Sequence, residues 1–212
     1  TIDLAQLESA LKKDKNYKAV LVTHVDTSTS VKNEIAPIRD LLNNLNHEAL
    51  LLVDCIASLA CDEFHMDDWG VDVMVAACQK GIMVPPGVSF VFFNQKAKDR
   101  QKSLKMVASY WDWDPRINPD YYYKYFGGTA PTHHLYGLDV ALDMLLKESI
   151  EAVWKRHEVL AKAIWAAIDE WAKGGELKAN IQDKNLRSNA VTSLRVNKPN
   201  GTLIRKWLQE NT

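Results

Sequence analysis

Two charged side chains lie at the ends of apolar segments. A charge in such a position has to be solvated, paired with an opposite charge or involved in chemistry. Lys80 follows the apolar run Val71–Ala77, and Asp54 closes the run Ala49–Asp54. An amine that is desolvated at a strand end has a lowered pKa and can attack a carbonyl carbon. A buried carboxylate is costly unless a cationic group meets it. The two residues could therefore hold an aromatic aldehyde that carries a protonated ring nitrogen.

Lys80 also allows simpler interpretations. A lysine outside any motif is most often a solvated surface residue. A P-loop lysine is excluded, because no GxxxxGK[ST] pattern surrounds Lys80. The nucleophile interpretation needs a nearby acid, which Asp54 supplies, and a carbonyl cofactor. Pyridoxal phosphate is such a cofactor, because a ring nitrogen kept protonated by a carboxylate turns the ring into an electron sink.

Strand-like and helix-like segments alternate around these two residues. A helix is expected at residues 34–46, where isoleucines and leucines repeat at helical spacing. The alternation indicates an α/β fold with a mostly parallel sheet flanked by helices. In such sheets ligands bind beyond the carboxyl ends of the strands, where Asp54 and Lys80 both fall. The predicted strands are Lys18–Val25, Ala49–Asp54, Val71–Ala77 and Val88–Phe93.

The second half of the chain has a different sequence pattern from the first. Ser109–Gly128 is aromatic and contains too many turn residues for one helix. Two amphipathic helices follow, at residues 133–149 and 150–175, and the second ends in Gly174-Gly175. Residues 191–196 and 201–210 then read as a strand and a helix.

Composition narrows the classes of function. The chain has 212 residues, is 47% hydrophobic and 25% charged, and carries a net charge of −1, so we expect neither a nucleic-acid nor a membrane partner. Three cysteines without CxxC spacing fit a reducing, cytoplasmic compartment and indicate neither a disulfide framework nor a zinc site. The sequence at both ends resembles the interior of a longer protein, so we expect this chain to be a fragment.

Five segments carry a family resemblance. In this order, and with QKG followed by PPG, they resemble the class V aminotransferases of the fold-type I pyridoxal-phosphate enzymes, in the serine–glyoxylate and alanine–glyoxylate branch. The segments are THVDTSTSV (Thr23–Val31), LLVDCIASLA (Leu51–Ala60), DDWGVDVMVAACQKGIMVPPGVSF (Asp67–Phe90), SYWDW (Ser109–Trp113) and GGTAPTHHLYGLDVAL (Gly127–Leu142).

The resemblance implies roles at three positions around the cofactor. Lys80 would bond to its aldehyde and then carry the proton between substrate and cofactor. Asp54 would pair with the pyridine nitrogen, and Gln79 would hydrogen-bond the phosphate. By the same likeness, residues 1–147 are part of the cofactor-binding large domain. Residues 148–212 are the linking long helix and the start of a small α+β C-terminal domain.

Three further positions follow from the same likeness, each with a plain structural alternative. Thr27 would contact the ring hydroxyl side and Ile56 would pack on a ring face. Thr129 would reach the phosphate of the neighbouring subunit's cofactor, which implies a homodimer with composite active sites. The two threonines could instead cap a turn or helix, and Ile56 could be core. His24 is left without a catalytic role.

The chain also departs from the family pattern. Ser30 stands where relatives commonly have glycine, and Phe126 stands where some have a phosphate-binding tyrosine. The early phosphate-binding segment and the late arginine that binds the substrate carboxylate have no counterpart here.

The resulting hypothesis is transamination between a small L-amino acid (serine, alanine or aspartate) and a small 2-oxo acid (glyoxylate or pyruvate). A pyridoxamine–pyruvate aminotransferase and a class V lyase or cysteine desulfurase are alternatives that keep the cofactor. An inactive, truncated chain that serves only to dimerise is an alternative of another class.

Overall fold

The first half of the chain forms a four-stranded sheet. The computed structural model describes residues 1–117, 119–196 and 201–211. The strands lie in the order β1-β2-β3-β4. Strands β1 to β3 are parallel, which confirms the predicted fold class, and β4 is antiparallel to β3. The strands are β1 (Ala19–Thr23), β2 (Leu50–Asp54), β3 (Val73–Ala77) and β4 (Ser89–Phe93).

The antiparallel pairing of β4 follows from the length of its connection. Residues 78–88 join β3 to β4. A parallel crossover needs roughly a dozen residues or more, usually with a helix, so this loop can only return the chain beside β3. Lys80 therefore lies in a loop between antiparallel neighbours, at the carboxyl end of β3.

Helices cover the sheet and supply the first core. Helix α1 (Leu4–Lys13) begins at Asp3, whose side chain accepts from the backbone N–H groups of Ala5 and Gln6. Helix α2 (Ala36–Asn44) carries a proline in its first turn, and α3 (Gln95–Lys102) is capped by Asn94. One core cluster joins α1 and α2 to the sheet through Leu11, Ile38, Leu42, Leu51 and Val53.

The second half is mainly helical. A short helix α4 (Asp114–Ile117) and a 3₁₀ turn (Tyr122–Phe126) precede two long helices, α5 (Thr132–Glu148) and α6 (Ile150–Trp171). A separate two-stranded antiparallel sheet and a last helix follow: β5 (Leu177–Ala179), β6 (Leu194–Val196) and α7 (Gly201–Asn211). The elements α5, α6, β6 and α7 and the irregular aromatic segment agree with the prediction from the sequence, whereas β5 was not predicted.

A second core cluster connects the two halves. Cys78, Ile82 and Val84, from the loop between β3 and β4, pack against Ala141 and Leu145 of α5. The loop that carries Lys80 therefore packs against the long helices. Within the described ranges, no helix has the length and apolar character needed to cross a bilayer.

Candidate active site

Asp54 occupies the carboxyl end of β2, in the middle of the sheet. In the strand register it lies between Thr23 of β1 and Val75 of β3. Its side chain is partly buried, and Oδ1 accepts a hydrogen bond of 2.8 Å from the backbone N–H of Ile56. Among the described residues no hydrogen bond to Oδ2 is found. One carboxylate oxygen is therefore free to accept from a cationic ring nitrogen.

Lys80 is exposed and lies three residues beyond the end of β3. The backbone around it is fixed by a close approach at the next residue. A side chain at Gly81 would collide with the carbonyl oxygen of Leu59 and come within 2.8 Å of Cys61 Sγ. Only glycine lets this loop lie against the turn that follows Asp54. The loop that carries Lys80 and the turn that follows β2 are therefore packed against each other.

The base of the same loop is closed by backbone and sulfur contacts. Cys78 is fully buried, its N–H donates to Val88 O at 3.1 Å, and its Sγ donates to Pro85 O at 3.1 Å. On the other side, His134 of α5 forms a 2.9 Å hydrogen bond with Pro86 O. These contacts leave the amine of Lys80 at the top of an otherwise anchored loop.

Thr27 is exposed in the turn that follows β1, on the same edge of the sheet as Asp54. Asp26 holds this turn, accepting from the hydroxyls of Thr29 at 2.5 Å and Ser28 at 3.0 Å. These hydrogen bonds, that of Thr29 foremost, lower the pKa of Asp26. Ser30, which stands where the family resemblance implies glycine, adopts a φ of 62°, in the left-handed region that favours glycine. The turn therefore keeps its shape at the cost of some backbone strain.

The other three expected positions divide into two groups. Ile56 is half-buried in the turn after Asp54, and Gln79 is exposed beside Lys80, so both lie at the same edge of the sheet. Thr129 is exposed between the 3₁₀ turn and α5. No hydrogen bond within the described residues ties Thr129 to the other positions. The fold thus brings five of the six residues to one edge of the sheet.

The donor set at this edge fits pyridoxal phosphate. A carboxylate with a free oxygen suits a protonated ring nitrogen, an amine suits an aldehyde, and an amide and a hydroxyl suit a phosphate and a ring hydroxyl. None of the six assigned positions lines the clefts of about 560, 450 and 410 Å³, but Thr23 and Asp26 line the second of these clefts and His24 lines the third. Within the described ranges, no three His, Cys, Asp or Glu side chains are grouped to hold a metal ion.

His24 is a residue of this site that sequence reasoning did not assign. It follows β1, is 2% exposed, and its backbone N–H donates to Asp54 O at 2.9 Å. Its Nδ1 lies 2.9 Å from Ser58 Oγ, in the turn after Asp54. Burial lowers the pKa of His24 to about 4, so the ring is neutral at physiological pH. The sequence signal was its place at the end of a strand beside β2.

Comparison with known proteins identifies relatives along the whole chain. The family described as "Aminotransferase class-V" matches residues 1–212. A serine–glyoxylate aminotransferase of Arabidopsis thaliana is 36% identical over 199 residues, covering 92% of this chain and 48% of that protein. An L-aspartate–glyoxylate aminotransferase of Paracoccus denitrificans is 34% identical and covers 90% of this chain and 48% of that protein. The chain spans about half the length of the curated relatives it matches.

Solved structures agree with the fold. An alanine–glyoxylate aminotransferase from Nostoc superposes with a TM-score of 0.85 at 24% identity, covering 99% of this chain and 55% of that one. A pyridoxamine–pyruvate aminotransferase from Mesorhizobium loti has a TM-score of 0.80 at 28% identity, covering 94% of this chain and 50% of that one. The predicted family and fold class are confirmed by these matches.

Proposed function

Because this chain belongs to the class V aminotransferase family, we propose that the full-length protein catalyses pyridoxal-phosphate-dependent transamination. The amino donor is a small L-amino acid (serine, alanine or aspartate) and the acceptor a small 2-oxo acid (glyoxylate or pyruvate). The names of relatives at 34–36% identity support this substrate class. The observation that carries the proposal is that Asp54, at the end of β2, and Lys80, in the loop after β3, lie at the same edge of the sheet, where that loop packs against the turn after Asp54.

Each residue at this edge has a different proposed role. When bound, the cofactor supplies a ring that stabilises negative charge at the α-carbon of the amino acid. Asp54 holds a proton on the ring nitrogen through its free oxygen. Lys80 would hold the cofactor at its aldehyde carbon and would serve as the base that takes and returns the α-proton of the amino acid. Gln79 and Thr27 orient the phosphate and the ring hydroxyl, and Ile56 packs on one face of the ring.

Thr129 has its place in the proposal through a second subunit. It is exposed on the segment between the 3₁₀ turn and α5, which fits a role at the phosphate of the partner's cofactor in a homodimer. The adjoining aromatic segment, with Tyr121, Tyr122 and Tyr123 more than half exposed, fits burial in such an interface. The homodimer and its composite site remain proposals of the same kind.

Domain organisation and location complete the proposal. Residues 1–147 belong to the cofactor-binding large domain, and residues 148–212 are the linking helix and the start of the small domain. The separation of β1–β4 from β5–β6 into two sheets supports this division. Three buried cysteines, all free, support a reducing, cytoplasmic location.

Trapping of the cofactor tests this function. The full-length protein, purified with pyridoxal phosphate, should be yellow and lose its visible absorbance on borohydride reduction. Peptide mapping should then find the adduct on the peptide that contains Lys80. A protein that stays colourless in excess cofactor would support the inactive dimerising chain instead. A single-turnover screen that follows the loss of colour with serine, alanine and aspartate identifies the donor.

The pyridoxamine–pyruvate reaction is the second candidate, because a structural relative with that name is 28% identical to this chain. Formation of free pyridoxal from pyridoxamine and pyruvate would identify it. A desulfurase is not favoured by the cysteines. Burial raises the pKa of Cys55 to about 12 and that of Cys61 to about 11, so neither forms a thiolate at neutral pH.

A further inference from the structure

The turn that carries Thr27 is bound by side chains from the second half of the chain. This turn spans residues 26–31 and follows β1. The carbonyl oxygen of Thr29 accepts a hydrogen bond of 2.8 Å from Asn180 Nδ2 and one of 2.6 Å from Ser193 Oγ. Both donors are more than 150 residues away in the sequence. The backbone two residues from a proposed cofactor ligand is therefore fixed by distant groups.

The next residue of the turn, Ser30, forms a reciprocal pair with Ser193. The two hydroxyl oxygens lie 2.9 Å apart, and the backbone N–H of Ser193 donates to Ser30 Oγ at 3.2 Å. A serine hydroxyl has one proton, and that of Ser193 is donated to Thr29 O. The hydroxyl of Ser30 therefore donates to Ser193 Oγ. The two serines thus form three hydrogen bonds at this turn, and the donor of each is defined.

This pair explains the unusual residue at position 30. Ser30 is 3% exposed and has a φ of 62°, a backbone conformation that favours glycine. Glycine would relieve the strain but has no hydroxyl, so it could not bind Ser193. Serine keeps the strained conformation and gains two hydrogen bonds to Ser193. The departure from the family pattern at Ser30 is therefore matched by a partner in the second half of the chain.

The segment that carries Ser193 is itself anchored to the large sheet. Within residues 186–193, Ser188 Oγ donates to Asp62 Oδ2 at 2.6 Å and the backbone N–H of Asn189 donates to Asp62 Oδ1 at 3.0 Å. Asp62 lies in the segment between β2 and β3 and is fully buried. Hydrogen bonds to a buried carboxylate are among the stronger ones in proteins. The position of Ser193 is therefore fixed independently of any cofactor.

We propose that Ser193, together with Asn180, is a positioning residue for the cofactor. The two side chains hold the carbonyl oxygen of Thr29. Through the backbone of the turn they place the hydroxyl of Thr27, which donates to the oxygen of the cofactor's ring hydroxyl. This inference rests on the proposed function, because it needs Thr27 at the ring. It adds that the second half of the chain controls the geometry of the cofactor site through this turn.

Ser193→Ala, in the full-length protein, tests the inference directly. It removes the hydroxyl that links Thr29 to Ser30, so Thr27 should no longer be held against the ring. The dissociation constant of pyridoxal phosphate should rise about fivefold, the effect of losing one hydrogen bond. The pH midpoint of the visible absorbance should rise by about half a unit, because a hydrogen bond to the ring oxygen favours its ionised form. Fluorescence and absorbance titrations measure the two quantities.

Three matched variants separate positioning from a general loss of stability. In Thr192→Val the neighbouring residue loses the hydroxyl that accepts from Trp165 Nε1 at 3.1 Å, so stability should fall while both cofactor quantities stay unchanged. Ser193→Thr keeps the hydroxyl and should restore both. Asn180→Asp places an acceptor against Thr29 O but keeps an oxygen for Arg195 Nε, and should weaken cofactor binding at least as much as Ser193→Ala.

The unmodified protein separates this inference from the function on which it rests. If the unmodified protein is yellow but Ser193→Ala keeps its dissociation constant and pH midpoint, this inference alone is overturned. Equal shifts in Ser193→Ala and Thr192→Val would also overturn it, because they would show only a loosened segment. A colourless unmodified protein would contradict the proposed function as well. If Ser193→Ala fails to fold, Asn180→Asp decides by the same comparison with Thr192→Val.

Discussion

Two aspartates at opposite edges of the same sheet have different surroundings. Asp72 precedes β3 and is 2% exposed. Its carboxylate accepts from the side chain of Arg39, from the backbone N–H of Leu51 at 2.7 Å and from Asn94 Nδ2 at 2.9 Å. Asp54, at the carboxyl edge, has one such hydrogen bond, from Ile56.

The difference is the one expected between a structural carboxylate and a carboxylate with the cofactor-binding role proposed for Asp54. The partners of Asp72 come from α2, β2 and the segment after β4, so this aspartate connects elements and leaves no oxygen for a ligand. The partner of Asp54 is two residues away and connects nothing distant. Its Oδ2, which accepts no hydrogen bond from the described residues, is available to a cationic ligand. We therefore expect changes at Asp72 to reduce stability, and changes at the opposite edge to reduce activity.

The largest effect is expected at Lys80. Lys80→Ala removes the amine that carries the α-proton, so kcat for transamination should fall by roughly 10⁴-fold. The melting temperature should change little, because the side chain is exposed. Steady-state kinetics and calorimetry on the full-length protein measure the two quantities. Lys105→Ala, at another exposed lysine, is the control and should retain activity.

Asp54→Asn tests the functional carboxylate. The amide keeps the shape and the hydrogen bond from Ile56 but cannot hold a proton on the ring nitrogen, so kcat should fall by about a hundredfold or more. The free energy of unfolding should change by less than about 1 kcal/mol, since an amide oxygen still accepts that bond. An active Asp54→Asn variant would remove the contrast between the two edges.

Asp72→Asn tests the structural carboxylate. It leaves the partly buried Arg39, whose side chain is 13% exposed, without its charged partner, which should lower the free energy of unfolding by about 3 kcal/mol. Urea denaturation measures this loss. The activity of the fraction that remains folded should be near that of the unchanged protein. A variant of normal stability with reduced kcat would reverse the assignment.

His24 should make stability depend on pH below neutrality. Its pKa is about 4 in the folded protein against 6.5 for the free side chain, so the unfolded chain binds more protons between these values. Stability is therefore unaffected above pH 6.5 and is lost as the pH falls toward 4. Between pH 7 and pH 5 the loss should be about 2 kcal/mol. Denaturation at both values should show a smaller difference in His24→Gln.

Gly81→Ala should give a moderate loss of stability. The added carbon meets the carbonyl oxygen of Leu59 and Cys61 Sγ, and relief by backbone movement should cost about 2 kcal/mol. Activity should fall as well, because the movement shifts Lys80. Gly174→Ala has open space around the added carbon and is the control for both readouts. Equal effects in the two variants would show that the loop contact is unimportant.

The sequence predicted elements that depend on local pattern. The four apolar runs became β1 to β4 within about two residues of their predicted ends. Burial on both faces of the sheet explains the continuous apolar pattern of β2 and β3, whereas the outer strands β1 and β4 are partly exposed. The places of Asp54 and Lys80 followed from the ends of those runs. Their proposed roles follow from the family resemblance together with the donors that this edge presents.

Long-range packing could not be predicted in the same way. The low pKa of His24 depends on its burial against Phe64 and Trp69, which lie about forty residues further along the chain. Among the described residues, the buried Arg187 Nη1 and Trp154 Nε1 have no hydrogen-bond partner. This feature depends on the packing of α6 beside residues 184–189. Each of these features depends on partners that no local pattern specifies.

A crystal structure of the cofactor-loaded, full-length protein tests the central claim most directly. The account predicts a bond between Lys80 Nζ and the aldehyde carbon, with an oxygen of Asp54 about 2.6–3.2 Å from the ring nitrogen. It would be contradicted by a ring bound elsewhere, or by one whose nitrogen faces solvent while Asp54 keeps only the backbone of Ile56.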